Sequence, residues 1–277
     1  MRRKAYAKLT FFLHAQERKD SMLRFKNIIM PIDLFDMVYL DKSPEMVLET
    51  DKEYLPNDKR NTVYKSIMIM KKRYDIKDNF KVRIVKNIPA QSGLGGGSAD
   101  AAAVINMLND LYDLKLTVQE LIDVAREIDE DTPFCLFNKP AIVEGIGDEI
   151  EILDYNMDLY YVMVKPGFGV STKSFLKKYQ HFHYDHNFDL CHEGLISQNF
   201  ELMSDHMHND FQRAISKKNS KLKKVAKMLK DEGLQGVCMS GTGTTIFGLT
   251  ESRDEAIRIY EKIVFDYPFV KYGRIKK

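Results

Sequence analysis

The chain has 277 residues, which is enough for one large domain or for two modest domains that each have a hydrophobic core. Hydrophobic residues make up 44% of it and charged residues 30%, a balance typical of globular proteins. The formal net charge is only +2, so the overall charge gives no reason to expect nucleic acid or an anionic membrane as a partner.

The cysteines and the N-terminal residues indicate a cytoplasmic location. Cys135, Cys191 and Cys238 are odd in number, far apart and outside any C-x-x-C pattern, which argues against a disulfide framework or a zinc site. No apolar run reaches the length of a membrane span, and no small-residue cleavage site follows the basic start of the chain. We therefore expect a cytoplasmic protein with neither a membrane nor a nucleic acid as its partner.

The first predicted element is a buried strand over residues 5–15, where apolar residues surround the charged residue Lys8. An unpaired charge in an apolar strand is costly, so Lys8 needs a partner or a function. A lysine that extends its ammonium to solvent at the strand end is the structural alternative. Residues 32–38 lead into a second strand, and we interpret the carboxylates of Asp33 and Asp36 as structural.

Residues 41–60 are charged and contain two prolines, which predicts a surface excursion. Asn61 follows as a natural cap for a helix with apolar residues at helical spacing. Apolar residues at positions 80, 82 and 84 then alternate with charged ones, which predicts a strand.

The most distinctive stretch, residues 89–100, reads Pro-Ala-Gln-Ser-Gly-Leu-Gly-Gly-Gly-Ser-Ala-Asp. It joins that strand to an alanine-rich helix, for which Ser98 is the predicted cap. Glycine lets backbone N–H groups approach an oxyanion, and a helix N-terminus adds unpaired donors and a partial positive charge. No lysine follows the glycines as a P-loop requires, and Ser98 replaces the third glycine of G-x-G-x-x-G. We therefore predict a phosphate-binding loop, with a flexible loop without a ligand as the alternative.

The remaining elements follow from caps, periodicity and glycine turns. Thr117 begins a helix in a capping box and that helix ends in three adjacent carboxylates, residues 129–131. Residues 160–165 predict a buried strand, and we place a domain boundary just before it, which gives domains 1–158 and 159–277. The tract that holds His181, His183, His186 and His192 is interpreted as a surface loop rather than a metal site. Residues 217–230 predict an amphipathic helix, and residues 237–248 predict a strand, a glycine turn and a strand.

The loop motif from Pro89 to Asp100 resembles the phosphate-binding motif of the GHMP kinases, the superfamily of galactokinase, homoserine kinase and mevalonate kinase. The resemblance covers nearly the whole chain. Residues 7–10 (Ala-Lys-Leu-Thr) resemble the opening Ala-Lys-Ile-Asn, residues 131–135 (Asp-Thr-Pro-Phe-Cys) resemble Asp-Val-Pro-Phe-Cys, and residues 239–245 resemble the third motif. The similarity is greatest to the branch that phosphorylates the 2-hydroxyl of a diphosphocytidyl methylerythritol in non-mevalonate isoprenoid synthesis. The resemblance implies an α/β (α+β) fold of two domains with the active-site cleft between them.

The resemblance also implies transfer of a phosphoryl group from ATP, with Mg²⁺, to a hydroxyl of a small-molecule substrate. Lys8 and Asp131 stand at the catalytic positions, Thr10 and Asp20 at substrate positions, and Ser98 at a position that helps to place the metal. The positions implied to bind ATP are Asn61, Pro89, Ala90, Gln91, Ser92, Gly93, Leu94, Gly95, Gly96, Gly97, Ser98 and Ala99.

Two segments depart from the family pattern. The family's Gly-Tyr-His, which recognises the cytosine end of the substrate, is residues 21–23 (Ser-Met-Leu) here, and each lost contact would cost about 1–3 kcal/mol. The Gly-Ser pair before the catalytic aspartate is Asp129-Glu130, whose charge should disfavour ionisation of Asp131 and repel phosphate. The alternatives are a GHMP kinase with a different acceptor and a weakly active or inactive nucleotide-binding homologue. The sequence leaves both a monomer and a homodimer open.

Overall fold

The computed structural model describes residues 1–19, 22–170, 175, 179 and 187–277. Asp20, Ser21 and three of the four histidines of the predicted loop (His181, His183 and His186) lie outside the described residues. The chain forms two compact units that alternate along the sequence. The first unit comprises Met1–Ala7, Leu34–Ala90 and Gly95–Asn138, and the second comprises Lys8–Asp33, Gln91–Leu94 and Lys139–Lys277. The domain boundary expected near residue 159 stays a prediction.

The first unit combines a small sheet with helices. Strand β4 pairs antiparallel with the end of β2, from Val85 opposite Met37 to Asn79 opposite Ser43, and parallel with β3. The strands that contribute to this unit are β1 (Arg2–Lys19), β2 (Met22–Ser43), β3 (Val47–Thr50) and β4 (Asn79–Val85), and its helices are α1 (Thr62–Arg73), α2 (Gly96–Leu111), α3 (Val118–Arg126) and α4 (Thr132–Phe137).

Some of the local sequence signals for this unit are confirmed. Phe80, Val82 and Ile84 of β4 are buried, as the alternation predicts. Asn61 caps α1 by accepting a 2.9 Å hydrogen bond, and Thr117 caps α3 in the predicted capping box. Strand β3 lies within the stretch predicted as a surface excursion, so that prediction is wrong over Val47–Thr50.

The central helix α2 begins earlier than the sequence predicts. Its alanines are buried, and their small side chains allow it to pack against α1 and α4. Gly95 occupies the cap position with φ at +71°, so Ser98 is the third residue of the helix and the prediction of Ser98 as its cap is wrong. A glycine adopts this left-handed conformation without the steric penalty of a Cβ, which allows the helix to start at Gly96.

The second unit contains two groups of strands. Strand β5 pairs with the first part of β2 and with β6, and β8 pairs parallel with β1 at Phe12 and Leu13. A separate antiparallel sheet has the order β11-β7-β10-β9. These strands are β5 (Ala141–Gly145), β6 (Glu149–Ile152), β7 (Tyr160–Lys165), β8 (His208–Asn209), β9 (Gln235–Met239), β10 (Ile246–Thr250) and β11 (Phe269–Arg274).

The helices of the second unit mostly cover the separate sheet. They are α5 (Phe188–Ile196), α6 (Phe200–Asp205), α7 (Asp210–Lys218), α8 (Ser220–Asp231) and α9 (Arg253–Ile263). The helix predicted over residues 217–230 is interrupted at Asn219, whose side chain caps α8 through a 3.0 Å bond from the Lys221 N–H. The predicted strand at 160–165 and the predicted strand, turn and strand at 237–248 are confirmed. Within the described ranges, no helix is both long and apolar enough to cross a membrane, and no group of three or more histidine, cysteine or acidic side chains could hold a metal ion.

A buried carboxylate joins β8, α7 and β1. Asp210 lies 2.8 Å from the Ala15 N–H and within hydrogen-bonding distance of the ring nitrogens of His14 and His208. Burial alone would raise the pKa of Asp210, but the hydrogen bonds with the two histidines and with the Ala15 N–H outweigh it and hold that pKa well below its usual range. The preceding Asn209 donates to the carbonyl of Gly241 at 2.9 Å, so this junction also supports the turn between β9 and β10.

We expect Asp210→Asn to lower the midpoint of thermal unfolding at pH 7 by several degrees, because loss of a buried hydrogen-bonded charge costs about 1–3 kcal/mol. A depressed folded-state pKa stabilises the protein above the unfolded value of about 3.9, and that stabilisation is lost as the pH falls towards the folded value. Calorimetry should therefore show a constant difference from the parent protein near neutral pH that shrinks below about pH 4. Asp231→Asn, which removes an exposed pair with Lys227, is the control and should change little. A difference that does not depend on pH would contradict the assignment.

Candidate active site

The glycine-rich loop is shared between the two units. Gln91–Leu94 belongs to the second unit, and Gly95–Asn138, which begins with the rest of the loop, belongs to the first. Each part is fixed by neighbours in its own unit, so the geometry of the loop is set by two different sets of contacts.

In the second unit, the first part of the loop lies between β1 and the turn that joins β9 to β10. The Lys8 N–H donates to the carbonyl of Leu94 at 3.0 Å, and the Ser240 hydroxyl donates to the carbonyl of Gly93 at 2.9 Å. Gly93 has φ at +78°, and a Cβ there would lie 2.0 Å from the Ser240 carbonyl oxygen. Only glycine fits where two backbones approach this closely.

Lys8 is buried within β1, with 3% of its surface exposed. Its ammonium donates to the hydroxyl of Thr10 at 3.2 Å, and the Thr10 N–H donates to the Ser240 hydroxyl at 3.2 Å. A Cβ on Gly241 would lie 3.1 Å from the Lys8 nitrogen, so this turn approaches the ammonium closely because it carries no side chain there. Lys8 and Thr10, both predicted from the resemblance, therefore lie together beside the glycine turn.

In the first unit, the second part of the loop forms the first turn of α2. The carbonyl of Gly97 accepts a 2.8 Å hydrogen bond from the Thr62 hydroxyl, and a Cβ on Gly96 would lie 2.8 Å from the Ile88 side chain. The first N–H groups of a helix have no acceptor within the helix, and the helix dipole is positive at this end. The turn is therefore fixed by packing while it offers N–H donors suited to a phosphate group.

A buried ion triplet lies behind this turn. The Lys86 ammonium is 2.6 Å from Asp100 of α2 and also contacts Asp36, and no side chain of the three is more than 7% exposed. Asp36 accepts further hydrogen bonds from the N–H groups of Asn87 and Ile88 at 2.5 and 2.8 Å. The sequence predicts a structural role for Asp36, and these bonds confirm it. The triplet joins the start of α2 to the interior of β2, at Asp36, and to the end of β4, which Lys86 follows.

The triplet has two carboxylates for one ammonium. Burial, opposed by Lys86 and reinforced by the charge of Asp36, raises the pKa of Asp100 to about 7. Burial alone would lower the pKa of Lys86, but the two carboxylates outweigh burial and raise it. One carboxyl oxygen of Asp100, Oδ1, is buried and has no hydrogen-bond partner in the described part of the chain. Asp100 is thus the weakly compensated member of the triplet.

Asp131 is at the cap position of α4, and its side chain makes no capping hydrogen bond. Asp129 instead provides the acceptor for the N–H groups at the start of this helix. Its Oδ1 accepts from the N–H groups of Asp131 and Thr132 at 3.1 and 2.9 Å. The other oxygen of Asp129 accepts from the Ser98 hydroxyl at 2.9 Å. Burial and then the charge of Asp131 raise the pKa of Asp129. The sequence predicts only repulsion from Asp129, whereas the structure gives its carboxylate specific partners.

The remaining predicted positions are placed as follows. Asn61 caps α1 and donates its side-chain amide to the carbonyl of Pro56 at 2.9 Å, and its implied contact with ATP stays a prediction. In the segment aligned with the family's cytosine-recognition residues, Leu23 is in the apolar core of the second unit at 6% exposure, and Met22 is 50% exposed. Asp20 lies outside the described residues. Sequence reasoning missed the roles of Lys86 and Ser240, although the third motif pointed to the turn that contains Ser240.

Two family models match this chain. The model of the GHMP kinases N terminal domain matches residues 61–139, a range that includes the start of α2 and Asp131. The model of the GHMP kinases C terminal domain matches residues 189–268.

The chain is also similar to curated kinases over nearly its whole length. It is 34% identical over 270 residues to 4-diphosphocytidyl-2-C-methyl-D-erythritol kinase of Clostridium botulinum (strain Eklund 17B), which covers 95% of this chain and 96% of the relative. It is 31% identical over 277 residues to the kinase of the same name from Caldanaerobacter subterraneus, with 99% of this chain and 96% of the relative covered.

Solved structures share this fold. A crystal structure of 4-(cytidine 5'-diphospho)-2C-methyl-D-erythritol kinase matches the whole of both chains with a TM-score of 0.84 and 26% identity. Homoserine kinase from Cytophaga hutchinsonii matches with a TM-score of 0.76 at 22% identity, covering 94% of this chain and 96% of that chain. At that identity, the second likeness is one of fold.

We expect Lys86→Met to lower the free energy of unfolding by about 3–5 kcal/mol, because it leaves two buried carboxylates without their cation. Asp100→Asn should cost far less, since its amide oxygen can still accept from Lys86 and one like charge is removed. The folded-state pKa of Asp100 is raised to about 7, so its effect on stability depends on pH. The contribution of Asp100 to stability is fully present below the unfolded pKa of about 3.9 and is lost as the pH rises through the folded pKa of about 7.

Urea unfolding of the parent protein and of Asp100→Asn between pH 5 and pH 8 tests this expectation. The parent protein should lose stability relative to Asp100→Asn as the pH rises to about 7, and the difference should level off above that. Tyr112 directly follows the last residue of α2 and donates a 2.6 Å hydrogen bond to Asp78. Tyr112→Phe removes this bond and is the matched control, and its stability relative to the parent protein should not change over this pH range. Unchanged stability of Lys86→Met would show that the triplet contributes nothing.

Proposed function

This chain belongs to the GHMP kinase family, whose members are ATP-dependent small-molecule kinases, and we propose that it phosphorylates the 2-hydroxyl of 4-diphosphocytidyl-2-C-methyl-D-erythritol. The observation that carries this proposal is the similarity over 95% of the chain to curated kinases named for that substrate. The reaction is a step of non-mevalonate isoprenoid synthesis. The loop geometry supports the phosphoryl-transfer part of the proposal independently of the acceptor.

The start of α2 is suited to hold the phosphates of ATP. The backbone N–H groups of Gly96, Gly97 and Ser98 are in the first turn, where a helix has no internal acceptors for them. The turn is fixed by Thr62 and by the Lys86 triplet, so these donors are oriented before a ligand arrives. Preorganised donors stabilise a charged transition state at a lower reorganisation cost than mobile ones.

Lys8 and Asp131 are the proposed catalytic residues. Asp131 would accept the proton of the attacking hydroxyl, which is the usual task of a general base in phosphoryl transfer. Lys8 would stabilise the negative charge on the transferred phosphoryl group, because a buried ammonium acts strongly on charge in a site that excludes water. Thr10 holds the Lys8 ammonium and is proposed to contact the acceptor.

The hydroxyl oxygen of Ser98, whose proton is donated to Asp129, fits a role for Mg²⁺, since this ion prefers hard oxygen ligands. Bound Mg²⁺ would neutralise part of the phosphate charge. No group of three histidine, cysteine or acidic side chains able to hold a metal occurs among the described residues, so further ligands would be phosphate oxygens and water. Ser98 would therefore help to place an ion that the nucleotide brings.

A second acceptor remains a candidate because of Leu23. In the family this position is the histidine that recognises cytosine, whereas Leu23 is buried in the core of the second unit and carries no polar atom for a ligand. Thr10 likewise replaces an asparagine of the family pattern. These two differences favour a kinase of the same family with a changed acceptor as the alternative function.

The acceptor is tested with purified protein in a coupled assay of ADP release. The panel contains the cytidine diphosphate compound, homoserine, mevalonate and other small alcohols, each with Mg-ATP. Turnover of the cytidine compound with a KM in the micromolar range would support the proposed acceptor. Turnover of another alcohol alone would establish the alternative, and ATP binding without turnover of any member would favour a non-catalytic homologue.

We expect Asp131→Asn to lower kcat by about 10²–10⁴-fold while the dissociation constant of Mg-ATP changes little, because the amide cannot take the proton but occupies the same space. Stopped assays of product and calorimetric titration with ATP measure the two quantities. Asp123→Asn, which makes the same change at an acidic residue of α3, is the matched control and should retain the parent kcat. Equal turnover by Asp131→Asn would remove Asp131 from the mechanism.

A further inference from the structure

We propose that Asp129 is a positioning residue that joins the phosphate-binding turn to the segment that carries Asp131. This inference rests on the proposed phosphoryl transfer and goes beyond it, because the family pattern has glycine at this position and a glycine cannot make such a link. One carboxylate oxygen of Asp129 accepts from Ser98 at 2.9 Å, and the other accepts from Asp131 and Thr132. All of these residues belong to the first unit.

The first half of the link acts on Asp131. Helix α4 has only six residues, and an aspartate at its cap position would ordinarily use its own carboxylate to accept from the first N–H groups. Here Asp129 accepts from the N–H of Asp131 and from both the N–H and the hydroxyl of Thr132, at 3.1, 2.9 and 2.8 Å. The Asp131 carboxylate makes no capping bond, so it does not have to stabilise its own helix.

The second half of the link acts on Ser98. A serine hydroxyl has one proton to donate and two lone pairs that can accept. The Ser98 side chain is buried, and its proton is directed at Oδ2 of Asp129. The lone pairs are thereby left to accept a hydrogen bond or to ligate a cation. Because of Asp129, Ser98 can act towards a bound nucleotide only as a hydrogen-bond acceptor or as a cation ligand.

The neighbouring Glu130 shows that charge alone does not explain these contacts. Both residues replace the Gly-Ser pair of the family pattern and add one carboxylate each. Glu130 is exposed and makes no hydrogen bond or ion pair with another residue in the described ranges, whereas the carboxylate of Asp129 accepts four hydrogen bonds. Glu130→Gln is therefore the matched comparison: it removes a repulsive charge beside Asp131 without breaking the link, so it should not weaken Mg-ATP binding.

The test compares Asp129→Asn and Asp129→Ala in the full-length protein. The amide oxygen of Asp129→Asn can still accept from Asp131 and Thr132, but its amide nitrogen would present hydrogen atoms to Ser98 and reverse that bond. We expect this variant to weaken Mg-ATP binding about tenfold in calorimetry, which is about 1.4 kcal/mol, with kcat at saturating ATP within about threefold of the parent. Asp129→Ala should weaken binding by a similar factor and also lower kcat by at least about tenfold.

A double-mutant cycle with Ser98→Ala separates positioning from general stability. If Asp129 affects the nucleotide through Ser98, the double variant Ser98→Ala with Asp129→Ala should bind Mg-ATP no more weakly than Ser98→Ala alone. Additive losses of affinity, or a lower unfolding temperature with unchanged affinity and kcat, would overturn the proposal. Glu130→Gln should not lower the affinity for Mg-ATP or kcat by more than about twofold, and a larger loss would equally overturn the proposal.

Calorimetry with Mg-ATP needs no acceptor, so the two proposals can fail separately. If the cytidine compound is not phosphorylated but Asp129→Asn still weakens Mg-ATP binding, only the proposed acceptor is wrong. If that compound is phosphorylated and the Asp129 variants bind and react as the parent protein does, only the role of Asp129 is wrong. If Asp129→Ala does not fold, Asp129→Asn decides the matter, because it keeps the bonds at the start of α4.

Discussion

Two buried carboxylates share one ammonium behind the first turn of α2, and the position of this glycine-rich turn depends on that arrangement. Bringing three charges out of water is expensive, and a well-packed apolar cluster would stabilise the fold at least as well. The ions instead supply specificity, since Lys86 can contact both Asp36 and Asp100 only when β2, the end of β4 and the start of α2 are correctly placed. Glycine gives this turn access to a ligand, and the triplet keeps the turn in one place.

The second unit holds its part of the loop by a different physical principle. Backbone hydrogen bonds hold it, from the Lys8 N–H to the Leu94 carbonyl and from the Thr245 N–H to the Ser92 carbonyl, and the Ser240 hydroxyl adds a bond to the Gly93 carbonyl. Hydrogen bonds between backbones depend little on which side chains surround them. Lys8 and Thr10 can therefore keep their positions beside the loop even though residues aligned with the family's cytosine-recognition segment, such as Leu23, differ from the family pattern.

Local signals were the parts of the fold that the sequence could predict. Asn61 and Thr117 cap their helices because the capping residue and its partner are two to three positions apart, and β4 alternates because its neighbours impose a period of two. Ser98 failed as a cap because Gly95 can take a left-handed conformation, which a propensity for serine does not anticipate. Contacts between distant segments, such as Lys86 with Asp36 or Ser240 with Gly93, leave no periodic trace in the sequence.

The close approach at Gly93 has a consequence for how this chain can diverge. A Cβ at position 93 would collide with a carbonyl of the main chain, and no substitution at Ser240 removes that atom, since every residue carries it. A substitution of Gly93 can therefore not be compensated by changing a side chain at a second position. A buried side chain such as Leu23 has no such restriction, because its neighbours in the core are side chains that can change with it. Substitutions elsewhere can thus accumulate with compensating changes of side chain, whereas position 93 stays restricted to glycine as long as the main chain follows this path.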